Sequence, residues 1–431
     1  MERKITKQLL AWKENKYRKP LLLQGARQVG KTYTLLEFGR RYYENTAYIN
    51  FETSAIADAV FDDDIMPEKL IPKLNVLSGE QIVKEKTLII FDEVQLSERA
   101  LTSLKYFCEF APEYHVAALG SLLGIAVNRK KFSFPVGKVD RLNMFPMDFG
   151  EYLLAFGETG LIEKIRSCFE ENQAMDVLSH KIANEYYRQY LVVGGMPEAV
   201  AKFKDTKDFR LIRLTQNNII ADYLDDMSKY NTPAETRKTR TVYNNLTVQL
   251  SKANTRYQYK LIKSGGRASE FEVALEWLDL AGLIDICYLT EKIILPLNDY
   301  YNRDAFKAYM SDIGLLCAQK SLKPEDIIYS APNLSDFKGG MIENYAAQQL
   351  RANGYDKYCW VSGATAEVDF IIERDNAVIP VEVKSSDNMQ AKSLNRYIQA
   401  YKPLYAVKIA DKNFGFEDGK KTIPLYAAFC L

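Results

Sequence analysis

The segment Gly25-Ala26-Arg27-Gln28-Val29-Gly30-Lys31-Thr32 constrains this chain more than any other. It fits the spacing GxxxxGK[ST] at every fixed position and follows the apolar run Leu21-Leu22-Leu23. Glycines at those places let successive backbone N–H groups turn inward around an anion, and the helix that follows offers the positive end of its dipole. In such a loop Lys31 reaches the β- and γ-phosphates of ATP, and the Thr32 hydroxyl ligates Mg²⁺. The bland alternative is an ordinary glycine turn between a strand and a helix, and the surrounding pattern decides against it.

From Pro20 to about Phe145, short apolar runs alternate with helix-like stretches: Leu21–Gln24, Ala47–Phe51, Thr87–Phe91, Val116–Leu119 and Leu142–Phe145. That rhythm predicts a P-loop domain with buried parallel strands in an α/β sheet. The third run ends in two adjacent carboxylates, Asp92 and Glu93. Beside a phosphate loop, the first is the expected metal partner and the second the residue that activates the attacking water. The fourth run ends Leu119-Gly120-Ser121, where Ser121 either senses the γ-phosphate or caps the next helix.

At 431 residues the chain is too long for one ordinary core, and a formal net charge of +1 gives no global attraction to a polyanion. Any nucleic-acid surface must then be a local patch. No apolar stretch is long enough to span a bilayer, so no membrane partner is expected. Six singly placed cysteines (Cys108, Cys168, Cys287, Cys317, Cys359 and Cys430) read as buried thiols of a cytoplasmic protein. With only His115 and His180 available, chemistry falls to carboxylates and lysines.

From Phe149 to about Lys204 the pattern turns helical, until Gly194-Gly195-Met196-Pro197 breaks it. The run from Arg237 to Arg267 then holds Arg237, Lys238, Arg240, Lys252, Arg256, Lys260, Lys263 and Arg267 with no acidic residue, and includes Tyr243, Tyr257 and Tyr259. It reads as a contact for a nucleic-acid backbone, DNA favoured, or as a surface balancing the acidic Asp222–Asp226 region. Phe271–Leu280 and Leu283–Leu289 follow as a helix and a strand of the winged-helix kind.

Near the end, Glu367-Val368-Asp369-Phe370-Ile371-Ile372 precedes Ile379-Pro380-Val381-Glu382-Val383-Lys384. Alternate residues of a strand share a face, so Glu382 and Lys384 point one way. Charges so placed are either a solvated sheet face or the Asp…Glu-x-Lys arrangement of restriction-endonuclease-like nucleases. In the second case Asp369 and Glu382 hold Mg²⁺, Lys384 stabilises charge or helps deprotonate water, and Glu343 adds a further acid.

Gly25–Thr32, Thr87–Glu93, Leu119-Gly120-Ser121 and Phe145–Tyr152 resemble the prokaryotic AAA-type ATPases whose ATPase domain precedes a domain of unknown function. The likeness continues through Val193–Glu198, Tyr309–Leu315 and Gly340-Met341-Ile342-Glu343-Asn344. It implies an AAA-type ATPase domain over 1–150, a helical lid-like region over 151–235, a winged-helix-like basic module over 236–335 and a PD-(D/E)xK nuclease-like domain over 336–431. It also implies homo-oligomers, because such sites are commonly completed by a neighbour's arginine. Relatives carry Gly-Arg where this chain has Gly137-Lys138, leaving Lys138, Arg141 or Arg129 as substitutes for that arginine. Two functions follow: an ATPase coupled to nucleic-acid binding and cleavage, or an ATP-switched binding protein with a silent nuclease-like fold.

Overall fold

The computed structural model describes residues 2–54, 56–120, 135–252, 256–329, 335–362, 366–384 and 392–431. Its chain divides into two compact units, Glu2–Phe145 and Pro146–Leu431.

The first unit is a five-stranded parallel sheet in the order β2-β3-β4-β1-β5. Its strands are β1 (Leu21–Gln24), β2 (Asn45–Asn50), β3 (Thr87–Asp92), β4 (His115–Leu119) and β5 (Asp140–Asn143). Helices α1 (Ile5–Glu14), α2 (Lys31–Tyr42), α3 (Pro67–Ser78) and α4 (Glu98–Phe110) accompany it. Every residue of β3 and β4 is buried, as the apolar runs require of inner parallel strands. Ile49, Phe61, Leu70, Ile89, Phe91, Leu104 and Phe107 form the core on one face. The fifth strand lies earlier than its apolar run and has no fully buried residue, as its place at the sheet edge allows.

The second unit opens with helices α5 (Phe149–Ala155), α6 (Thr159–Glu171), α7 (Val177–Val193), α8 (Pro197–Thr206), α9 (Phe209–Tyr230), α10 (Pro233–Gln249) and α11 (Ala268–Leu280). The hairpin β6 (Ile284–Thr290) and β7 (Tyr301–Met310) comes next, then α12 (Ile313–Gln319), α13 (Pro324–Ile328) and α14 (Ser335–Ala352). The chain ends with β8 (Lys357–Ser362), β9 (Ala366–Arg374), β10 (Ala377–Lys384), α15 (Lys392–Tyr401), β11 (Ala406–Ala410), β12 (Gly415–Glu417) and β13 (Lys420–Pro424). Strands β6 to β13 make one mixed sheet, ordered β12-β13-β11-β10-β9-β8-β6-β7. Helix, helix and hairpin thus follow in the order of a winged helix, but the hairpin is not free-standing. Tyr288 and Leu289 of β6 pair with Tyr358 and Cys359 of β8, so the boundary expected at 335/336 runs through a single sheet.

Helix α14 is buried yet polar, and its amides hold the unit together. Asn344 accepts from Met310 N at 2.7 Å and donates to Met310 O at 3.0 Å. Gln348 accepts from Ile313 N, and Gln349 accepts from Phe149 N, each at 2.9 Å. Gly340 is required by contact, since a Cβ there would lie 2.0 Å from Leu250 O.

Asp312 ties two distant turns. It caps α12 by accepting from Leu315 N at 2.9 Å, and accepts from Gly195 N at 2.6 Å. Full burial pushes its carboxyl from 3.8 up to about 6, although these donors pull it down. A raised folded pKa means stability that is present below pH 4 and lost as pH rises through 6, of order 3 kcal/mol. Urea unfolding at stepped pH is expected to show the wild type losing stability relative to Asp312→Asn between pH 4 and 6. A difference that does not change with pH would contradict this.

Candidate functional site

The loop from Gly25 to Gly30 takes the shape its glycines permit. Gly25 has φ +142°, and a Cβ there would lie 2.1 Å from Met144 O. Gly30 caps α2 in the left-handed region at φ 94°, where an L side chain is disfavoured. Gln28 is also left-handed, at φ 65°. The buried Arg3 stands behind this loop, donating to Val29 O at 2.8 Å and Phe145 O at 2.7 Å. No sequence motif pointed to Arg3, because its partners Val29 and Phe145 stand 26 and 142 residues away.

The Lys31 ammonium donates to Gly25 O at 2.8 Å and Ala26 O at 2.7 Å. Burial lowers its pKa to about 8 against the pull of Glu93 and Asp92. Asp92, also buried, collects three donors: Thr32 Oγ1 at 2.9 Å, Tyr48 OH at 2.7 Å and Glu93 N at 2.9 Å. The hydroxyl of Thr32 and the carboxylate of Asp92 are hard oxygen ligands in direct contact, a donor pair that fits Mg²⁺. Glu93 adopts φ 53°, uncommon for a residue with a Cβ and a conformation that clusters at functional sites. Gln95 Nε2 donates to Glu93 Oε2 at 2.5 Å. Thus Lys31, Thr32, Asp92 and Glu93 meet at the C-terminal ends of β1 and β3.

Two other expectations fare differently. Ser121 and Arg129 lie outside the described residues. Lys138 pairs with Glu109 at 2.9 Å just before β5, which runs parallel to β1. It therefore stands at the sheet end away from its own phosphate loop and cannot serve a phosphate there.

In the second unit a set of charged side chains converges on one face of the mixed sheet. The β9–β10 register aligns Phe370 with Val381, which brings Asp369 beside Glu382 at the next position. Asp369 Oδ2 accepts from Val383 N at 2.8 Å. Lys384 Nζ forms an ion pair with Glu382 Oε1. Glu382 Oε2 is buried with no hydrogen-bond partner among the described residues. Burial raises the pKa of Asp369 well above its ordinary value, with Glu382 and Glu343 adding to the effect. Glu382 is raised too, by burial, with Lys384 opposing. Among the described residues no three acids, histidines or cysteines are placed to share a metal ion, so a hard divalent cation here would rest on two carboxylates, Asp369 and Glu382, one of them with an open oxygen.

Three further residues, Lys307, Glu367 and Tyr309, join the cluster, although no sequence motif assigned them a role. Lys307 of β7 is fully enclosed, with Nζ 2.7 Å from Glu343, 2.5 Å from Glu367 and 3.6 Å from Asp369. Burial alone would lower its pKa, but Glu343, Asp369 and Glu367 outweigh it and hold the ammonium charged. Tyr309 OH donates to Glu343 at 2.6 Å. The available signal was Lys307 itself, a lone cation inside the apolar strand Phe306–Met310.

The basic run separates into two groups. Arg237, Lys238, Lys252, Lys260, Lys263 and Arg267 are exposed. Of these, Lys263 pairs with Glu270 at 3.0 Å; Arg240 instead packs back on α9, donating to Leu224 O at 2.8 Å with Asp225 at 3.7 Å. Arg256 is half-buried.

Residues 17–153 match the profile of a family described as an AAA domain. Residues 184–326 and 338–428 match two domains of unknown function, DUF8612 and DUF4143. With the phosphate loop and the Asp92–Glu93 pair in place, the first unit is an AAA-type ATP-binding domain. No curated protein matches the chain. Among solved structures, a Walker-type ATPase of Pyrococcus abyssi is 15% identical with a TM-score of 0.44, over 73% of this chain and 94% of that one. The ORC2 protein of Aeropyrum pernix, in ADPNP–ADP complexes, is 12% identical with a TM-score of 0.31, over 75% and 91%. The ORC1 protein of the same organism, in complex with DNA, is 11% identical with a TM-score of 0.27, over 74% and 90%. None of the described helices is long and apolar enough to cross a membrane.

Proposed function

We propose that the chain is a Mg²⁺-dependent ATPase of the AAA kind that couples nucleotide state to DNA binding and to cleavage by the acidic cluster of its second unit. The observation that carries this reading is the Thr32–Asp92 hydrogen bond with Glu93 as the next residue. When bound, Mg²⁺ supplies charge neutralisation between the phosphates. Backbone N–H groups of Gly25–Thr32 cradle the phosphates, and the Lys31 ammonium leaves the two loop carbonyls for the β- and γ-phosphate oxygens. Glu93 takes a proton from the attacking water, released for this by Gln95. Replacing a general base lowers turnover ~10²–10⁴-fold. Glu93→Gln is accordingly expected to keep ATP binding and lose hydrolysis by about that factor in a phosphate-release assay. Unchanged turnover would remove Glu93 from the chemistry.

Six exposed cations along 237–267 support phosphate-backbone contact. Helix α11, by contrast, exposes Glu272, Val273 and Glu276, so contact through the basic connection before it is favoured over insertion of that helix. The convergence of Asp369, Glu382, Lys384 and Glu343 supports cleavage. In that chemistry the carboxylates hold Mg²⁺, and Lys384 steadies the charge developing on the scissile phosphate. One observation favours the silent alternative, an ATP-switched binding protein: Lys307 already neutralises part of the acidic cluster. Incubating DNA with Mn²⁺ and ATP separates the two readings. Cutting that falls at least 100-fold in Lys384→Ala supports catalysis, whereas equal cutting by both proteins, or none by the wild type, contradicts it.

A further inference from the structure

Four carboxylates, Glu343, Glu367, Asp369 and Glu382, meet two ammonium groups, Lys307 and Lys384, on one face of the sheet. Two-metal phosphodiester sites place their ions ~3.5–4 Å apart, both on shared carboxylates. Here the ligands on one side are already committed. Glu343 Oε1 receives both Lys307 and Tyr309, Glu367 receives Lys307, and the same ammonium lies 3.6 Å from Asp369 Oδ1. On the other side Glu382 Oε2 is buried and open. The lysine is no surface side chain that could swing away. Its residue is 1% exposed, and its ammonium meets Glu367 and Asp369 of β9, which stands three strands from β7 in the sheet order. Cys287 stands opposite it in the β6–β7 register, and with Cys359 gives a buried, small floor for the stem.

We propose that Lys307 is a resident cation of this cluster, so that the cluster takes a single divalent metal ion, on Asp369 and Glu382, and excludes a second. The proposal rests on the nuclease-like reading of the cluster. A second divalent ion beside Lys307 would meet a fixed positive charge and find Glu343 and Glu367 occupied. Lys307 touches no reacting atom in this arrangement and is a positioning residue. It also makes the cluster dependent on the hairpin preceding it.

The test is a Mn²⁺ titration of the full chain without nucleotide, with free Mn²⁺ counted by electron paramagnetic resonance. Ions at the cluster are those lost on Asp369→Asn. One such ion is expected in the wild type and two in Lys307→Met. Two in the wild type, or one in each, would overturn the resident-cation proposal. None in the wild type and one in Lys307→Met would overturn the single-ion proposal by making Lys307 the only cation. None in either would remove the nuclease-like reading itself. The wild-type count decides the first of these without any variant at position 307, so unfolding of Lys307→Met would not leave the proposal open.

Discussion

A fully enclosed ammonium is costly unless carboxylates compensate it, and Lys307 among Glu343, Glu367 and Asp369 is such a group in the second unit, as Lys357 beside Asp285 is another. The three acidic neighbours of Lys307 come from α14 and β9, while Lys307 itself comes from β7. The hairpin β6–β7 is therefore bound to the mixed sheet twice, by the backbone pairing of β6 with β8 and by charge across that pairing. Breaking a buried pair from one side leaves an uncompensated charge, costing about 3–5 kcal/mol. That cost is why a module with the helix–hairpin order of a winged helix is held here as part of a larger sheet.

The first unit uses the same rule to different effect. Lys31 is also buried, but its neighbours within hydrogen-bond reach are the carbonyls of Gly25 and Ala26, and its pKa falls to about 8. A cation so poorly compensated is better served by phosphate oxygens than by its own loop. Lys307 has carboxylate partners at rest whereas Lys31 has loop carbonyls, a difference that fits architecture for the first and the proposed phosphate contact for the second. Asp92 lies between these extremes, accepting from the Thr32 and Tyr48 hydroxyls.

Much of the first unit was legible because its signals are local. A strand, a glycine loop and a helix follow one another within a few residues, and Asp92-Glu93 closes an apolar run that cannot be anything but an inner strand. The acids Asp369 and Glu382 were legible for the same reason, being on adjacent antiparallel strands. Lys307, Glu367 and Arg3 were not, because each acts on residues far away in sequence and none forms a spaced pattern with its partners. The motif residues Gly194, Gly195, Asp312 and Gly340 resembled a family pattern without revealing a role. The structure gives them one, as close backbone approaches and a buried cap. Strands on both sides of the boundary expected at 335/336 share one sheet, because sequence punctuation marks where helices stop, not which sheet a strand joins.

We propose that nucleotide bound at Gly25–Thr32 governs nucleic-acid affinity through the basic surface around Lys252, Lys260 and Arg267. The most direct measurement is DNA affinity of the intact protein across salt concentration, with ATP, with ADP and without nucleotide. The account predicts binding that weakens steeply and linearly on logarithmic axes, with ATP and ADP curves displaced from each other. Superimposed curves for the three nucleotide states, or no DNA binding at low salt, would contradict it.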